Sequence, residues 1–192
     1  VDIYPSGVLG AEPSTVEMVQ AGVLDMAKVS ANTLGQFDER YSIFSLPYLF
    51  RDQEHYYNAM ANSEGIQELF ESTRDKGYIA IGYYANGARN YYLKEDKAVT
   101  DPSVLKGKKI RAMVSSTSME MIELMGGSPV PMASSETYTS LQQGIVDGAE
   151  NTELALTVDK HEEIVKSYTY TEHQYSLDIY IISTKVRSEE HT

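Results

Sequence analysis

The 192-residue sequence predicts an α/β fold. Strand-like and helix-like segments alternate from one end to the other. The run "GYIAIGYYA" (77–85) is almost continuously apolar, as a strand covered on both faces should be. Helical patterns are punctuated by Ser or Asp at their starts and Gly at their ends.

Taken in order, residues 1–4 read as a strand and "PSGVLG" as a turn. Glu12 to Ala21 reads as a helix with Val16 and Val19 on one face, stopped by Gly22. "LDMAKVSA" follows as a second strand, and strand–helix–strand in that order predicts a parallel βαβ unit. "FSLPYLFRDQEHYY" is an apolar turn into a short helix. Ser63 caps a better helix running to Arg74, with Ile66, Leu69 and Phe70 on one face. "GYIAIGYYA" is the next strand, and "NGARNYYL" a loop entering another. The polar stretch 94–101 reads as a connection and as the candidate crossing between lobes. "TDPSVLKG" is a compact helix, with Asp101 as cap, Pro102 at its first position and Gly107 at its end. In "KKIRAM" strand alternation sends Ile110 and Ala112 to one side, Lys109 and Arg111 to the other. Beyond it come a helix from Ser116 to Met125, a short strand "GSPVPM" and a capped helix ending at Gly144. "VDGAEN" is a turn into a helix from Thr152, and "HQYSLDIYIIST" a last long strand.

A net charge of −12, from 28 acidic and 16 basic residues, argues against nucleic acid and anionic membrane surfaces as partners. No apolar run is long enough to span a bilayer, so direct membrane insertion is not expected. A small anion remains compatible, because one or two buried arginines hold it whatever the outer surface carries. The absence of cysteine excludes disulfides, thiolate metal sites and thiol nucleophiles. The opening "VDIYPSG" has neither an initiator methionine nor an apolar h-region. It predicts a fragment whose own beginning lies upstream, with any signal peptide outside the covered chain.

Enzyme signatures are missing: there is no GxGxxG, GxxxxGK or GxSxG, and nothing calls for a cofactor. "KHEEIVK" lacks a second histidine four after His161, where Val165 stands. His55, His161, His173 and His191 are scattered and read as surface or satisfied side chains. Asp147 and Glu150 sit three apart and suit an acid/base pair, but capping of the next helix is the favoured reading. Binding chemistry fits better. Arg89 follows a strand and the Gly87 turn, Arg111 ends a second strand in a chain segment holding Lys106, Lys108 and Lys109, and Asn151 stands beside a helix start after the Gly148 turn. Two guanidiniums and an amide near strand ends suit a carboxylate. Each also has a plain alternative: a surface arginine, a solvated strand edge, a helix cap.

At these residues the chain resembles the extracytoplasmic solute-binding subunits of tripartite ATP-independent periplasmic (TRAP) transporters, in the C4-dicarboxylate-binding branch. "IYPSGVLG", "VQAGVLDMAKVSA", "LPYLFRDQEH", "NGARNYYL", "LKGKKIRAM", "GGSPVPM", "SSETYTSLQQGIVDGAEN" and "HQYSLDIYIIS" follow in that family's order along nearly the whole chain. Met113 stands where the family commonly has proline, and Ser134 where it often has an aromatic residue.

The resemblance implies a two-lobed periplasmic-binding-protein-like fold with crossing strands, truncated at both ends and closing on a small acid. Residues 1–86 would form part of lobe I, 87–174 part of lobe II, and 175–192 a strand returning toward lobe I. It implies Arg111 as the principal carboxylate clamp, Arg89 as a second cation and Asn151 as an amide donor. Glu12, Ser30 and Asn32, from the opposite lobe, would read the distal part of the ligand, while the three lysines stay solvated. The implied protein is not an enzyme: it captures a small carboxylate in the periplasm and delivers it to TRAP membrane subunits. A four-carbon dicarboxylate, a 2-oxo acid, a sugar acid and an aromatic acid all satisfy Arg111. The alternative is a ligand-sensing effector domain of a regulator with the same architecture. "VRSEEHT" at the end carries no functional reading.

Overall fold

The computed structural model describes residues 1–186, and the remainder of "VRSEEHT", with His191, lies outside them. The chain divides into two compact units: unit 1 is Val1–Ile43, Asp52–Ala85 and residues 177–186, and unit 2 is Phe44–Arg51 with Asn86–Ser176. The stretch 94–101 lies wholly inside unit 2, not at a crossing. Its polarity marks exposure to water; the long passages between units run inside strands, at Ala85–Asn86 and Ser176–Leu177.

Unit 1 opens without the expected strand at 1–4, where Val1, Ile3 and Tyr4 are exposed and unpaired by any ladder. Helix α1 (Glu12–Ala21) buries Val16 and Val19 and stops at Gly22, whose φ of 72° suits only glycine at low cost. Strand β1 (Met26–Ser30) leads into the single-turn α2 (Ala31–Leu34), with Ser30 accepting from the Thr33 amide as its cap. A 3-10 segment, Glu39–Ser45, follows. Helices α3 (Gln53–Asn62) and α4 (Glu64–Glu71) begin at the Asp52 and Ser63 caps. The α4 helix is shorter than its pattern suggests, because Arg74–Lys76 tightens into 3-10 geometry.

Strand β2 (Tyr78–Leu93) runs unbroken for 16 residues. Gly87, read from sequence as a turn, is accommodated within it at a φ of 90°. Its two ends are buried and its middle is open, so the apolar run does not mark a strand covered throughout. In unit 1, β1 pairs antiparallel with the far end of β6 (Ser167–Ser183), Ser30 opposite Asp178 and Lys28 opposite Tyr180. The predicted parallel βαβ unit is therefore absent among the described residues: α1 has no strand before it, and β1 has an antiparallel partner.

In unit 2 a 3-10 turn, Pro102–Leu105, capped by Asp101, precedes β3 (Lys109–Ala112). Helix α5 (Ser116–Leu124), strand β4 (Ser128–Pro131) and helix α6 (Thr137–Gln143) follow, α6 ending at Gly144 with φ 73°. "GAEN" is not a turn but strand β5 (Gly148–Asn151). It pairs antiparallel with β2 and parallel with β3, which pairs parallel with β4. The α7 helix (Glu153–Val158) then starts at the Thr152 cap.

Alternation divides the core of unit 2 into two faces. Tyr91, Leu93, Ile110 and Ala112 pack with Leu105, Met121 and Ile122 on one; Tyr92 and Ala149 pack with Leu141 and Val146 on the other.

Candidate functional site

Arg111 projects from the middle of β3 onto the Tyr92 face. Register sets Arg111 opposite Ala149 and Ala149 opposite Tyr92, so a cation, a methyl and an aromatic ring stand in one row across three strands. The small alanine leaves room for the two long side chains to lie over it. Only 4% of Arg111 is exposed, and its Nη2 donates to the Met132 carbonyl at 2.9 Å. Its neighbours behave as the sequence predicts for lysines: Lys106 and Lys109 are exposed, and Lys108 reaches Glu95 at 2.7 Å.

Arg89 is engaged differently. Its Nε and Nη2 donate to the two oxygens of Glu150 at 2.5 and 2.8 Å, and Nη2 also reaches the Glu150 carbonyl at 2.7 Å. Burial favours the neutral form of Glu150, but Arg89 and the His173 hydrogen bond outweigh it and hold its pKa down at about 2. His173 stacks on Tyr91 with 4.7 Å between ring centroids and sets Nε2 3.3 Å from Glu150. Glu150 thus belongs to the Tyr91 face, opposite Arg111.

Asn151, two residues from Ala149, shares the Arg111 face of β5. Its Oδ1 accepts from Arg89 Nη1 at 3.0 Å and from the Thr152 amide at 2.9 Å. Those two donors fix the flip of the amide and turn its NH₂ group away from them. Asn151 is not the helix cap; Thr152 is, accepting from the Ala155 amide at 3.3 Å. Nor do Asp147 and Glu150 cap α7. Asp147 accepts from the Lys109 amide at 2.8 Å, and Glu150 is spent on Arg89.

Beneath this row Tyr92 bonds His161 Nδ1 at 2.9 Å. His161 is 1% exposed, and its Nε2 is buried with no hydrogen-bond partner among the described residues. Burial lowers its pKa, Asp159 and Glu162 oppose that, and Arg111 adds to it. The expectation of a surface or satisfied histidine fails here, whereas His173 is a satisfied interior histidine, with Nδ1 2.8 Å from Thr171 Oγ1 and Nε2 3.3 Å from Glu150.

In unit 1 a second polar group forms around Glu12. Its Oε2 accepts from Ser30 N (3.0 Å), Ser30 Oγ (2.8 Å) and Thr33 Oγ1 (2.7 Å). Lys28 Nζ donates to Asp178 at 2.8 Å and stands 3.8 Å from Glu12 Oε1. Burial lowers the Lys28 pKa, but Asp178 and Glu12 more than offset it and keep the ammonium charged. Asn32 is buried in α2.

The structure therefore joins Arg89 to Asn151, joins Glu12 to Ser30, and sets Arg111 and Asn151 on one face of unit 2. Sequence reasoning missed Lys28, Thr33, Asp178, Tyr92 and the Glu150–His173 pair. Lys28 and Asp178 had a usable signal, charges placed inside otherwise apolar strands. Among the described residues no group of three His, Asp or Glu side chains is placed to hold a metal, and no helix is long and apolar enough to cross a membrane.

Comparison with known proteins gives a consistent result. The protein YiiZ of Salmonella typhimurium is 45% identical over 186 residues, 96% of this chain and 56% of that protein. A solute-binding protein of Chromohalobacter salexigens is 32% identical over 89% of this chain and 50% of its own length. The chain thus spans about half the length of these curated relatives. A TRAP periplasmic solute-binding protein from Anaerococcus prevotii, solved with bound α/β-D-glucuronate, superposes with a TM-score of 0.94 at 39% identity, over 98% of this chain and 61% of that one. One from Sulfitobacter sp., with β-D-galacturonate, gives 0.92 at 33% identity, over 97% and 62%. One from Polaromonas sp., with D-erythronate, gives 0.91 at 34%, over 97% and 61%. Residues 1–186 match the model of the bacterial extracellular solute-binding proteins, family 7, and the chain belongs to that family.

Proposed function

We propose that this chain is the acid-capturing part of a periplasmic TRAP solute-binding protein, not an enzyme, and that it takes a hydroxylated monocarboxylic acid for delivery to membrane transporter subunits. The observation that carries the reading is the pairing of a buried guanidinium, Arg111, with the oriented amide of Asn151 on one face of unit 2. A guanidinium accepts a carboxylate by two parallel hydrogen bonds, and an amide NH₂ supplies a third. The solved relatives named above hold glucuronate, galacturonate or erythronate, each a monoacid with several hydroxyls.

Arg111 is the clamp in this reading. Arg89 acts through Asn151, because its own charge is matched by Glu150. Arg111 and the Asn151 amide together suit one carboxylate. Glu12, Ser30 and Asn32 are the residues of unit 1 proposed to bind polar groups of the ligand. The acid/base alternative has little left to work with, since Glu150 is held ionised in an ion pair and Asp147 is bonded to backbone.

The test is a thermal-shift titration with D-glucuronate, D-galacturonate, D-erythronate and succinate, run on the wild type and on Arg111→Ala. At about 100 times its dissociation constant a ligand stabilises the folded state by about 2.7 kcal/mol. The expected result is a shift with one or more of the sugar acids, lost in the variant, and unchanged acid recovered afterwards. Absence of a shift with every acid, or affinity in Arg111→Ala within threefold of wild type, overturns the reading.

A further inference from the structure

We propose that Tyr168, itself set by Asn90, is a positioning residue that aims the Asn151 amide at the acid's carboxylate. The inference rests on the acid-capture reading and adds to it residues that act through Asn151 rather than on the acid. All of them belong to unit 2.

Asn151 closes the β5 ladder opposite Asn90, and the next residue, Thr152, caps α7. The peptide plane between Asn151 and Thr152 carries the Asn151 carbonyl at one end and the Thr152 N–H at the other. The N–H donates to Asn151 Oδ1 at 2.9 Å, and the carbonyl accepts from the Tyr168 hydroxyl at 3.3 Å. Because the plane is rigid, a bond that holds its oxygen also holds the direction of its N–H. Turning it would draw the N–H off Oδ1 and leave Arg89 Nη1, at 3.0 Å, to orient the amide. The amide NH₂ donates to no protein acceptor among the described residues, and it is the group a carboxylate needs.

Tyr168 is fixed at both ends. Its ring stacks on Tyr92, with centroids 6.1 Å apart and planes 13° from parallel, which ties it to the row of Tyr92, Ala149 and Arg111. Its hydroxyl accepts from Asn90 Nδ2 at 3.0 Å, so its own proton is left to point at the Asn151 carbonyl. Asn90 is 2% exposed and serves two further groups: Nδ2 donates to the Ala88 carbonyl at 3.0 Å, and Oδ1 accepts from the Glu172 amide at 2.8 Å. Glu172 lies inside β6 at a φ of 45°, a left-handed angle that is costly for a residue with a Cβ. Asn90 thus anchors a strained position of β6 on one side and the Tyr168 hydroxyl on the other. Phenylalanine at 168 would stack on Tyr92 equally well, so packing alone does not call for the hydroxyl.

The experiment measures dissociation constants for D-glucuronate, D-galacturonate and D-erythronate by calorimetry, and by ligand-detected NMR where they exceed a millimolar. The proteins are wild type, Tyr168→Phe, Asn151→Ala and Tyr168→Phe/Asn151→Ala. Tyr168→Phe should weaken every acid that wild type binds by about three- to tenfold, the loss expected for one net hydrogen bond. In the Asn151→Ala background the same change should weaken binding less than threefold, because the amide it serves is gone. A general structural role would cost the same in both backgrounds. Should Tyr168→Phe fail to fold, Asn90→Ala/Glu172→Gly takes its place, since glycine adopts the left-handed angle without help from Asn90, and the same pattern is expected. A loss below threefold beside native Asn151, or of threefold or more in both backgrounds, overturns the positioning role while acid capture stands. Wild type binding none of the three acids overturns both.

Discussion

Arg89 and Glu150 meet through two parallel hydrogen bonds of 2.5 and 2.8 Å while each side chain is less than 5% exposed. A buried pair of this kind is costly to halve, because the survivor keeps its desolvation penalty without its partner. Arg89→Met should therefore destabilise the protein by about 3–5 kcal/mol, read as a fall in the urea midpoint with unchanged slope. Arg89→Met/Glu150→Leu, which removes both charges, should recover most of that loss. A double variant no more stable than the single one would contradict the account.

The same pair makes the fold acid-sensitive. Glu150 has a pKa of about 2 in the folded state against 4.5 ordinarily, so between those values the unfolded chain binds more protons. Its contribution is complete above about pH 4.5 and is lost as pH falls toward 2. Asp38, held low by Arg40 and Lys76 against its own burial, acts in the same direction. Urea unfolding at pH 6, 4 and 3 should show the decline, and Glu150→Gln should show a smaller one.

His161 works in a higher window. Burial keeps its folded pKa below the ordinary 6.5, so the unfolded state takes up the proton first as pH falls. Stability should drop below about pH 6.5, with a slope of at most about 1.4 kcal/mol per pH unit for one proton. Comparing wild type with His161→Gln between pH 7.5 and 5 checks this. A parallel pair of curves would assign the slope elsewhere.

Gly148 sits where β5 meets β2, opposite Leu93. A Cβ there would stand 2.5 Å from the Tyr92 carbonyl and from a Leu93 methyl. The carbonyl belongs to the ladder and cannot step aside as a flexible side chain does. Gly148→Ala should cost about 1–3 kcal/mol or more by overpacking and lower the melting temperature. It should weaken acid binding as well, since Asn151 hangs from the same strand.

Much of the fold was legible from local signals. Caps such as Ser63 and Asp101, stops such as Gly22 and Gly144, and the Val16–Val19 stripe set helix bounds directly. Pairing was less accessible. "GAEN" read as a turn because Gly148 is small; it is small because β2 presses against it. The strand expected at residues 1–4 had suitable residues and no partner. In the site, Arg111 stood out by strand alternation, but nothing local tells that Glu150 neutralises Arg89 from 61 positions away. Lys28 stood out as a charge in an otherwise apolar strand, but its partner, Asp178, lies 150 residues later and no local signal pairs them.

The near-complete burial of Arg111 in a protein of net charge −12 has a kinetic consequence. On the proposed reading, an approaching acid first encounters the outward-facing carboxylates, and the guanidinium attracts it only at close range. Long-range repulsion then slows encounter, and salt at about 0.15 M, which shortens the reach of surface charge to about 8 Å, relieves it. Capture should quicken as ionic strength rises from low values, the reverse of ordinary electrostatic steering between opposite charges. The escape rate, governed by buried contacts that salt barely reaches, should change much less.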